Sequence, residues 1–284
     1  MRFSTRSLCL TSVFLIRSIV TASPFLTSDS SEPNYWFSFG DSYTATGFFP
    51  WGPLPSPGNP LGNPPVPGTI TGGPYWVDYL TTTYNQSLTL TYNFAFSGAT
   101  TNASLVLPWL GVTFEDEVNI YLHKFSQKPP STPWESNNTL FSIWIGINDI
   151  GRTYNDPGDR DAQTGARLFY FINIPPIDRT PLMLQRSASE QDQMKAVVQG
   201  FNPKLQTRIT NFGQNHTDVN MWTWDSHAAF TAILDSPGNY GFQDITHWNP
   251  IDPTYFWGNN FHPGSTAHNI FAQEMRANLT DFPW

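Results

Sequence analysis

Tyr35-Trp36-Phe37-Ser38-Phe39-Gly40-Asp41-Ser42-Tyr43 decides how the rest of the chain is read. The aromatic run Tyr35 to Phe39 has the composition of a short buried strand, and Gly40-Asp41 breaks it with residues that favour a tight turn. Ser42 is therefore expected just beyond the C-terminal end of a strand. In an open parallel α/β sheet that edge is where ligands bind, so a serine there is exposed and rigidly held near the N-terminus of the next helix. Taken alone, Gly-Asp-Ser is an ordinary turn tripeptide. What the rest of the chain brings to the same edge decides between the two readings.

Outward from this stretch the pattern alternates between strands and helices. Pro50 to Pro74 is dominated by proline and glycine, which forbid a helix and give a semi-rigid loop, expected here as a wall beside Ser42. Tyr75 to Tyr84 reads as a short helix, and Thr91 to Phe96 as a second strand ending in Ser97-Gly98-Ala99. Phe114 to Phe125 carries apolar residues at a helical period. Leu140 to Ile147 is the most apolar run and reads as a central strand buried on both faces, stopping at Asn148-Asp149. Arg167 to Asn173 and Asp218 to Trp224 give two further strands. The long helix from Ser189 to Phe212 is expected to break near Gly200 and Pro203. His227 to Leu234 and Pro263 to Asn278 supply the last helices. Alternation of this kind predicts an α/β fold, a doubly wound three-layer α/β/α sandwich around a mostly parallel five-stranded sheet.

One crossover is too short. Asp149 to Ala166 separates the third and fourth strands, has Asp156-Pro157-Gly158-Asp159 in its middle, and has neither the period nor the length of a comfortable crossover helix. The expectation is either a changed sheet order or a lost helix.

The 284 residues are enough for one large domain with a full core, and no linker divides them. Residues 1 to 22 have the layout of a secretory signal: Arg2 and Arg6 first, an apolar run from Leu8 to Val20 too short to span a bilayer, and small residues Thr21-Ala22-Ser23 for cleavage. A single domain is then expected from residue 23 to residue 284. The only cysteine, Cys9, lies in the signal, so a thiol nucleophile, a thiolate metal site and disulfides are not expected in the processed chain. With 14 basic and 22 acidic residues the net charge is −8, and loss of Arg2, Arg6 and Arg17 would take it to −11. That balance argues against nucleic-acid and anionic membrane surfaces and for a neutral partner. Five glycosylation sequons, at Asn85, Asn102, Asn137, Asn215 and Asn278, fit a secreted, extracellular glycoprotein.

Ser42, Gly98 and Asn148 are each expected at the end of one of three successive strands, hence on one edge of the sheet. Phe256-Trp257-Gly258-Asn259-Asn260-Phe261-His262-Pro263-Gly264 places His262 in a loop before the last helix. A hydroxyl, an imidazole and neutral hydrogen-bond donors are the parts of an acyl-transfer site.

Gly40-Asp41-Ser42, Gly98, Gly146-Ile147-Asn148-Asp149 and His262-Pro263 resemble, in order, the four blocks of the SGNH or GDSL hydrolases. The chain is most similar to the secreted fungal acetylesterases of carbohydrate esterase family sixteen. The likeness also takes in Pro57 to Pro65, Asn173 to Asp178 and Asp225-Ser226-His227, and so covers essentially the whole processed chain. It implies a flavodoxin-like SGNH fold. It implies Ser42 as nucleophile, His262 as base, and an oxyanion hole formed by the Ser42 and Gly98 N–H groups with the Asn148 amide. The implied activity is hydrolysis of acetyl esters, with acetylated plant cell-wall oligosaccharides as the expected substrate. A lipase or thioesterase-like hydrolase of longer acyl chains and a catalytically impaired carbohydrate-binding relative are the alternatives.

Two departures stand out. Most of the superfamily has an aspartate three residues before the histidine, and here Asn259 occupies that position. Asn259 is the candidate orienter of His262, and the alternatives are a dyad-like site or a supplementary carboxylate such as Asp252. Asp41 is structural in the family pattern. Relatives also carry a helix between the third and fourth strands, so its loss would bare one face of the strands and weaken folding. His123, His216, His227, His247 and His268 show no metal-ligand spacing, and there is no Gly-rich phosphate loop, so no metal and no cofactor are expected. His268 is expected to be a surface or packing residue. Trp51, Trp76, Trp257 and Tyr43 are the aromatics expected to stack a sugar ring. The expected partner is a small-molecule or oligosaccharide ester, with no nucleic acid and no stable membrane association, and the protein is expected to be a monomer.

Overall fold

A computed structural model describes residues 32–64, 68–154, 168–216 and 219–279. The signal segment, Cys9 and all but the start of the 149–166 crossover lie outside the described residues. In chain order the elements are β1 (Asn34–Gly40), α1 (Trp76–Thr82), β2 (Thr89–Asn93), α2 (Phe114–Lys124), β3 (Thr139–Trp144), α3 (Ile147–Thr153), β4 (Leu168–Ile172), α4 (Pro181–Leu184), α5 (Ala188–Asn215), β5 (Asn220–Trp224), α6 (Ser226–Asp235), β6 (Asp244–Trp248), β7 (Tyr255–Trp257) and α7 (Ser265–Asn278).

Five strands form one parallel sheet in the order β2-β1-β3-β4-β5, with β1 near its centre. Alternation along the strands feeds two cores. Trp36, Leu140, Trp144, Tyr170, Ile172 and Trp224 join α1, α6 and α7 on one face. Tyr35, Phe37, Phe39, Tyr92, Phe141, Phe169 and Phe171 join α2 and the C-terminal half of α5 on the other. A strand clothed on both sides has no polar face to show, which is why β1 and β3 read as nearly unbroken apolar runs. Their paired serines are satisfied internally: Ser142 Oγ donates to Ser38 Oγ at 2.9 Å and accepts from Trp36 Nε1 at 2.8 Å. A buried indole keeps its N–H partnered in this way. The three-layer α/β/α sandwich expected from the sequence is the fold.

Several boundaries differ from the sequence reading. β3 ends at Trp144 rather than Ile147, because Gly146 turns the chain with φ at +111° and starts α3. Asn148 therefore sits in the first turn of a helix and not at a strand end. β2 runs over 89–93, two residues earlier than expected. The β3–β4 crossover does contain a helix, the seven-residue α3, whose Ile147 and Ile150 are fully buried. The β3 face expected to be bare is covered: Phe141 and Ile143 are buried, with Tyr121 of α2 at 5.3 Å and Trp134 at 6.0 Å from the Phe141 ring.

The long helix does not break at Pro203 but runs unbroken from Ala188 to Asn215. A mid-helix proline forfeits one hydrogen bond and costs about 3 kcal/mol. Here the helix is pinned at the preceding residue, where Asn202 accepts from Ile174 N at 3.0 Å and donates to Ile174 O at 2.9 Å. Among the described residues the proline-rich segment contributes one residue, Ile70, to the wall of the site rather than the whole wall expected. Thr91 N donates to Pro60 O at 2.9 Å, so this segment closes the exposed edge of β2, and only Ile70 from its end reaches the pocket beside Ser42.

Candidate active site

Four loops meet above the C-terminal edge of β1, β2 and β3. The first follows β1, where the Asp41 carboxylate accepts from Tyr43 N at 3.0 Å while Thr44 N and Ala45 N return to Asp41 O at 3.0 and 2.9 Å. This tight turn leaves Ser42 almost wholly enclosed, with its hydroxyl facing the pocket. Gly40 makes the turn feasible: its φ is +153°, and a Cβ there would lie 2.4 Å from Trp144 O.

The fourth loop, 258–264, leaves β7 and is clamped from three directions. Tyr43 Oη donates to Phe261 O at 2.5 Å, Leu182 N donates to Asn260 O at 2.8 Å, and Gly258 N returns to His262 O at 2.9 Å. Its strand β7 pairs with β6 in a separate two-stranded parallel sheet that the sequence reading missed. These strands are too short to show a period. Together they place His262 Nε2 2.7 Å from Ser42 Oγ, although the two residues are 220 positions apart.

Asn259 fixes which imidazole nitrogen carries the proton. Its Oδ1 accepts from Phe261 N at 2.9 Å, from His262 N at 2.8 Å and from His262 Nδ1 at 2.9 Å. Two backbone N–H groups converge on that atom, so it is the carbonyl oxygen of the amide and Nδ1 must donate. Nε2 is then the acceptor and faces the Ser42 hydroxyl. Asn259 does the orienting without adding charge, and burial takes the His262 pKa down to about 4. Asp252 has no part in this. It closes its own turn on Thr254 N at 2.9 Å and Thr254 Oγ1 at 2.7 Å, leaving Asn259 as the hydrogen-bond partner of His262 Nδ1.

The donors stand opposite. Gly98 has φ at +80°, and a Cβ on it would meet Trp109 Cβ at 2.7 Å. Among the described residues neither Ser42 N nor Gly98 N has a hydrogen-bond acceptor. Asn148 spends one amide N–H on Ala99 O at 2.9 Å, which aims the other at the pocket it lines. Three neutral donors thus face the space in front of Ser42 Oγ.

Glu117, which the sequence reading passed over, ties these pieces together. It is fully buried in α2, and its two oxygens accept from Gly40 N at 2.9 Å and Phe96 N at 3.0 Å. One carboxyl therefore braces the chain two residues before Ser42 and two residues before Gly98. Burial pushes its pKa well above the usual range, against the lowering effect of the two N–H donors. Burial likewise raises Asp41 to about 8, with Asp149 adding to the rise. His268 is a packing residue, fully buried and stacked on Tyr75 with ring centroids 4.0 Å apart.

The pocket has a volume of about 410 Å³ and is walled by Ile70, Trp109, Leu110, Leu182 and Phe261, with Arg152 at its side. Of the aromatics expected to stack a sugar, Tyr43, Trp76 and Trp257 are buried in the core, and Trp51 lies under Lys124. Trp109 is the aromatic at the mouth, with 70% of its surface exposed. Among the described residues no group of three or more His, Cys, Asp or Glu is placed to hold a metal ion, and no helix is long and apolar enough to cross a membrane.

Residues 37–275 match the GDSL-like lipase/acylhydrolase family. The chain belongs to that family. This GDSL hydrolase is 36% identical over 275 residues to an acetylesterase of Thermothelomyces thermophilus, a match covering 90% of this chain and 91% of that one. It is 28% identical over 128 residues to an acetylesterase of Hypocrea jecorina, covering 42% of this chain and 36% of the relative. Among solved structures, the acetylxylan esterase of Geobacillus stearothermophilus overlays with a TM-score of 0.46 at 16% identity, covering 87% of this chain and 94% of the other. The GDSL hydrolase is a carboxylic ester hydrolase.

Proposed function

We propose that this hydrolase is a secreted serine esterase that removes acetyl groups from acetylated plant cell-wall oligosaccharides, with Ser42 as nucleophile and His262 as general base. The observation that carries this reading is the 2.7 Å Ser42 Oγ to His262 Nε2 hydrogen bond facing three neutral N–H donors. Nε2 takes the hydroxyl proton as Oγ attacks the ester carbonyl, and the oxyanion is held by Ser42 N, Gly98 N and the free Asn148 amide hydrogen. Collapse releases the alcohol, which receives the proton from Nε2 and leaves acetyl-Ser42. Water then attacks the acyl-enzyme, giving its proton to Nε2, and acetate leaves as Ser42 recovers its hydrogen.

The acetyl preference is supported by the names of the two curated relatives, and the saccharide by the exposed Trp109 beside the pocket. Secretion is supported by the signal-like residues 1–22 and by exposed sequon asparagines at 137, 215 and 278; Asn85 and Asn102 are half-buried. A second reading, a hydrolase of longer acyl chains, draws on the exposed Leu110, which lines the pocket, and on the exposed Leu105 and Leu107 shortly before it in sequence.

The test is acetate release from nitrophenyl acetate and from acetylated xylo-oligosaccharides, with Ser42→Ala in parallel. Turnover by wild type and loss of about 10⁴-fold or more in the variant is the expected result. A folded wild type that is inert, or a Ser42→Ala that is not impaired, overturns it. A nitrophenyl ester chain-length series peaking at long acyl groups selects the second reading.

A further inference from the structure

Among the described residues, Arg152 is the one cation lining the pocket, and the hydrolytic steps do not use it. Arg152 lies four residues after Asn148 on α3, so the helical repeat puts both on one face, and both line the same pocket. Its guanidinium sits over the Trp109 ring, 4.8 Å from the centroid. Trp109 is in turn held by its N–H donating to Gly98 O at 3.2 Å. The cation is thus referenced to the loop that carries an oxyanion donor.

Among the described residues Arg152 has no anion of its own. The ion pairs between them are Lys128–Glu135, Arg179–Asp235 and His247–Asp244, and Arg152 belongs to none of these. Asp149, one helical turn earlier, has both carboxylate oxygens on Thr101 N, at 3.0 and 3.1 Å. In a chain of net charge −8, such a guanidinium beside a mostly apolar pocket is a local reversal of sign. A stacked guanidinium is also pre-ordered, and its planar fork matches a carboxylate in two parallel hydrogen bonds. Among the described residues no second Lys or Arg lines the pocket, and a single cation suits a monoanion better than a phosphate dianion.

With the acyl group directed at Ser42 and the donors, the alcohol portion of the ester must leave toward the mouth, where Arg152 and Trp109 stand. We propose that this stacked pair is a carboxylate-binding subsite for the alcohol side of the ester. The substrate is then an acetylated oligosaccharide bearing a uronic acid unit near the acetylated ring. Trp109 offers its exposed surface to a pyranose, and Arg152 takes the carboxylate. The choice of a saccharide rests on the acetylesterase reading above; the preference for an anion does not.

The experiment compares kcat/KM for an acetylated, uronic-acid-bearing xylo-oligosaccharide with that for its neutral counterpart. It is repeated with 4-acetoxybenzoate against its methyl ester, in wild type, Arg152→Gln and Arg152→Lys. Wild type is expected to favour the anionic member of each pair by about fivefold at low ionic strength, chiefly through KM, with the preference shrinking as salt is added. Arg152→Gln brings the ratio to about one, and Arg152→Lys keeps part of it. Anion preference in the benzoate pair alone, abolished by Arg152→Gln while both saccharides stay uncleaved, upholds the subsite and removes the saccharide. A wild type without preference in either pair, or an Arg152→Gln that keeps the wild-type ratio, overturns the proposal.

Discussion

Replacing Asn259 by aspartate isolates the one electrostatic element this site lacks. In the wild type the imidazole is oriented by a neutral carbonyl oxygen at 2.9 Å, and burial brings the His262 pKa to about 4. A carboxylate at the same place keeps all three hydrogen bonds, since Oδ1 remains an acceptor for Phe261 N, His262 N and His262 Nδ1. What changes is the charge. An opposite charge this close raises a histidine pKa by about 1–3, and each whole step is about 1.36 kcal/mol in favour of imidazolium. In the proposed mechanism imidazolium is the form His262 takes in the transition state, so kcat on the neutral plateau is expected to rise by up to about tenfold for every 1.36 kcal/mol gained. The same change is expected to move the acid limb of kcat/KM upward from the His262 pKa, which burial sets at about 4. Stability follows the same sign. A histidine whose folded pKa lies below its unfolded value makes stability fall as pH drops from about 6.5 through the folded pKa, and Asn259→Asp narrows that window. Acetate release across the acid and neutral range, with melting temperatures at each pH, reads both. A wild-type acid limb near 6.5 refutes the account of burial, and an Asn259→Asp limb that stays at the wild-type position refutes the orienting role of residue 259.

Glu117→Gln keeps the shape of the side chain but has one acceptor for two N–H groups: with its oxygen kept on Gly40 N, Phe96 N retains Gly40 O at 3.1 Å, and the amide NH₂ becomes the buried donor that faces an N–H. A buried donor left unsatisfied costs about 1–3 kcal/mol, and a protein of this size should lose roughly 2–4 °C per kcal/mol. Because the brace sits two residues before both Ser42 and Gly98, kcat falls as well, and a variant unchanged in melting and in kcat refutes the brace. Gly98→Ala forces a Cβ against Trp109 Cβ at 2.7 Å and strains a φ of +80°. Displacing the oxyanion loop by about 1 Å is worth about 10² in kcat. Gly58→Ala, where nothing lies within 4 Å of the new atom, should retain wild-type turnover, and equal activity in the two variants refutes the steric argument.

The placement of the candidate site residues on one edge was legible because its signals are local. A strand, a turn and Ser42 are contiguous, Gly98 and Asn148 follow their own strands closely, and His262 precedes the last helix. Glu117 was not legible. It stands in Phe114-Glu115-Asp116-Glu117, where acids are expected to favour the positive end of a helix, and only the sheet packed beneath reveals that Glu117 points inward. Trp109 lies in an irregular loop with no period to assign it a side. The stacking aromatics were misplaced because composition cannot tell a core tryptophan such as Trp76 from a surface one. Pro203 was read as a break because the side-chain clasp of Asn202 on Ile174 is tertiary, and α3 was missed because its start depends on the left-handed turn at Gly146.

The wide separation of Ser42 and His262 along the chain gives the site a place in the order of folding. Strand β1 is synthesised before the loop with Asn259 and His262 and the helix that anchors it, with Ser42 and His262 separated by 220 positions. That helix, α7, docks on the N-terminal part of the fold through Ser265, which bonds Tyr79 at 3.0 Å and Pro74 O at 2.8 Å. A species with the parallel sheet formed and α7 undocked has Ser42, the proposed nucleophile, in place without His262 beside it. Onset of ester turnover during refolding therefore times the docking of α7 on Tyr79 and Pro74, while far-ultraviolet dichroism times the sheet.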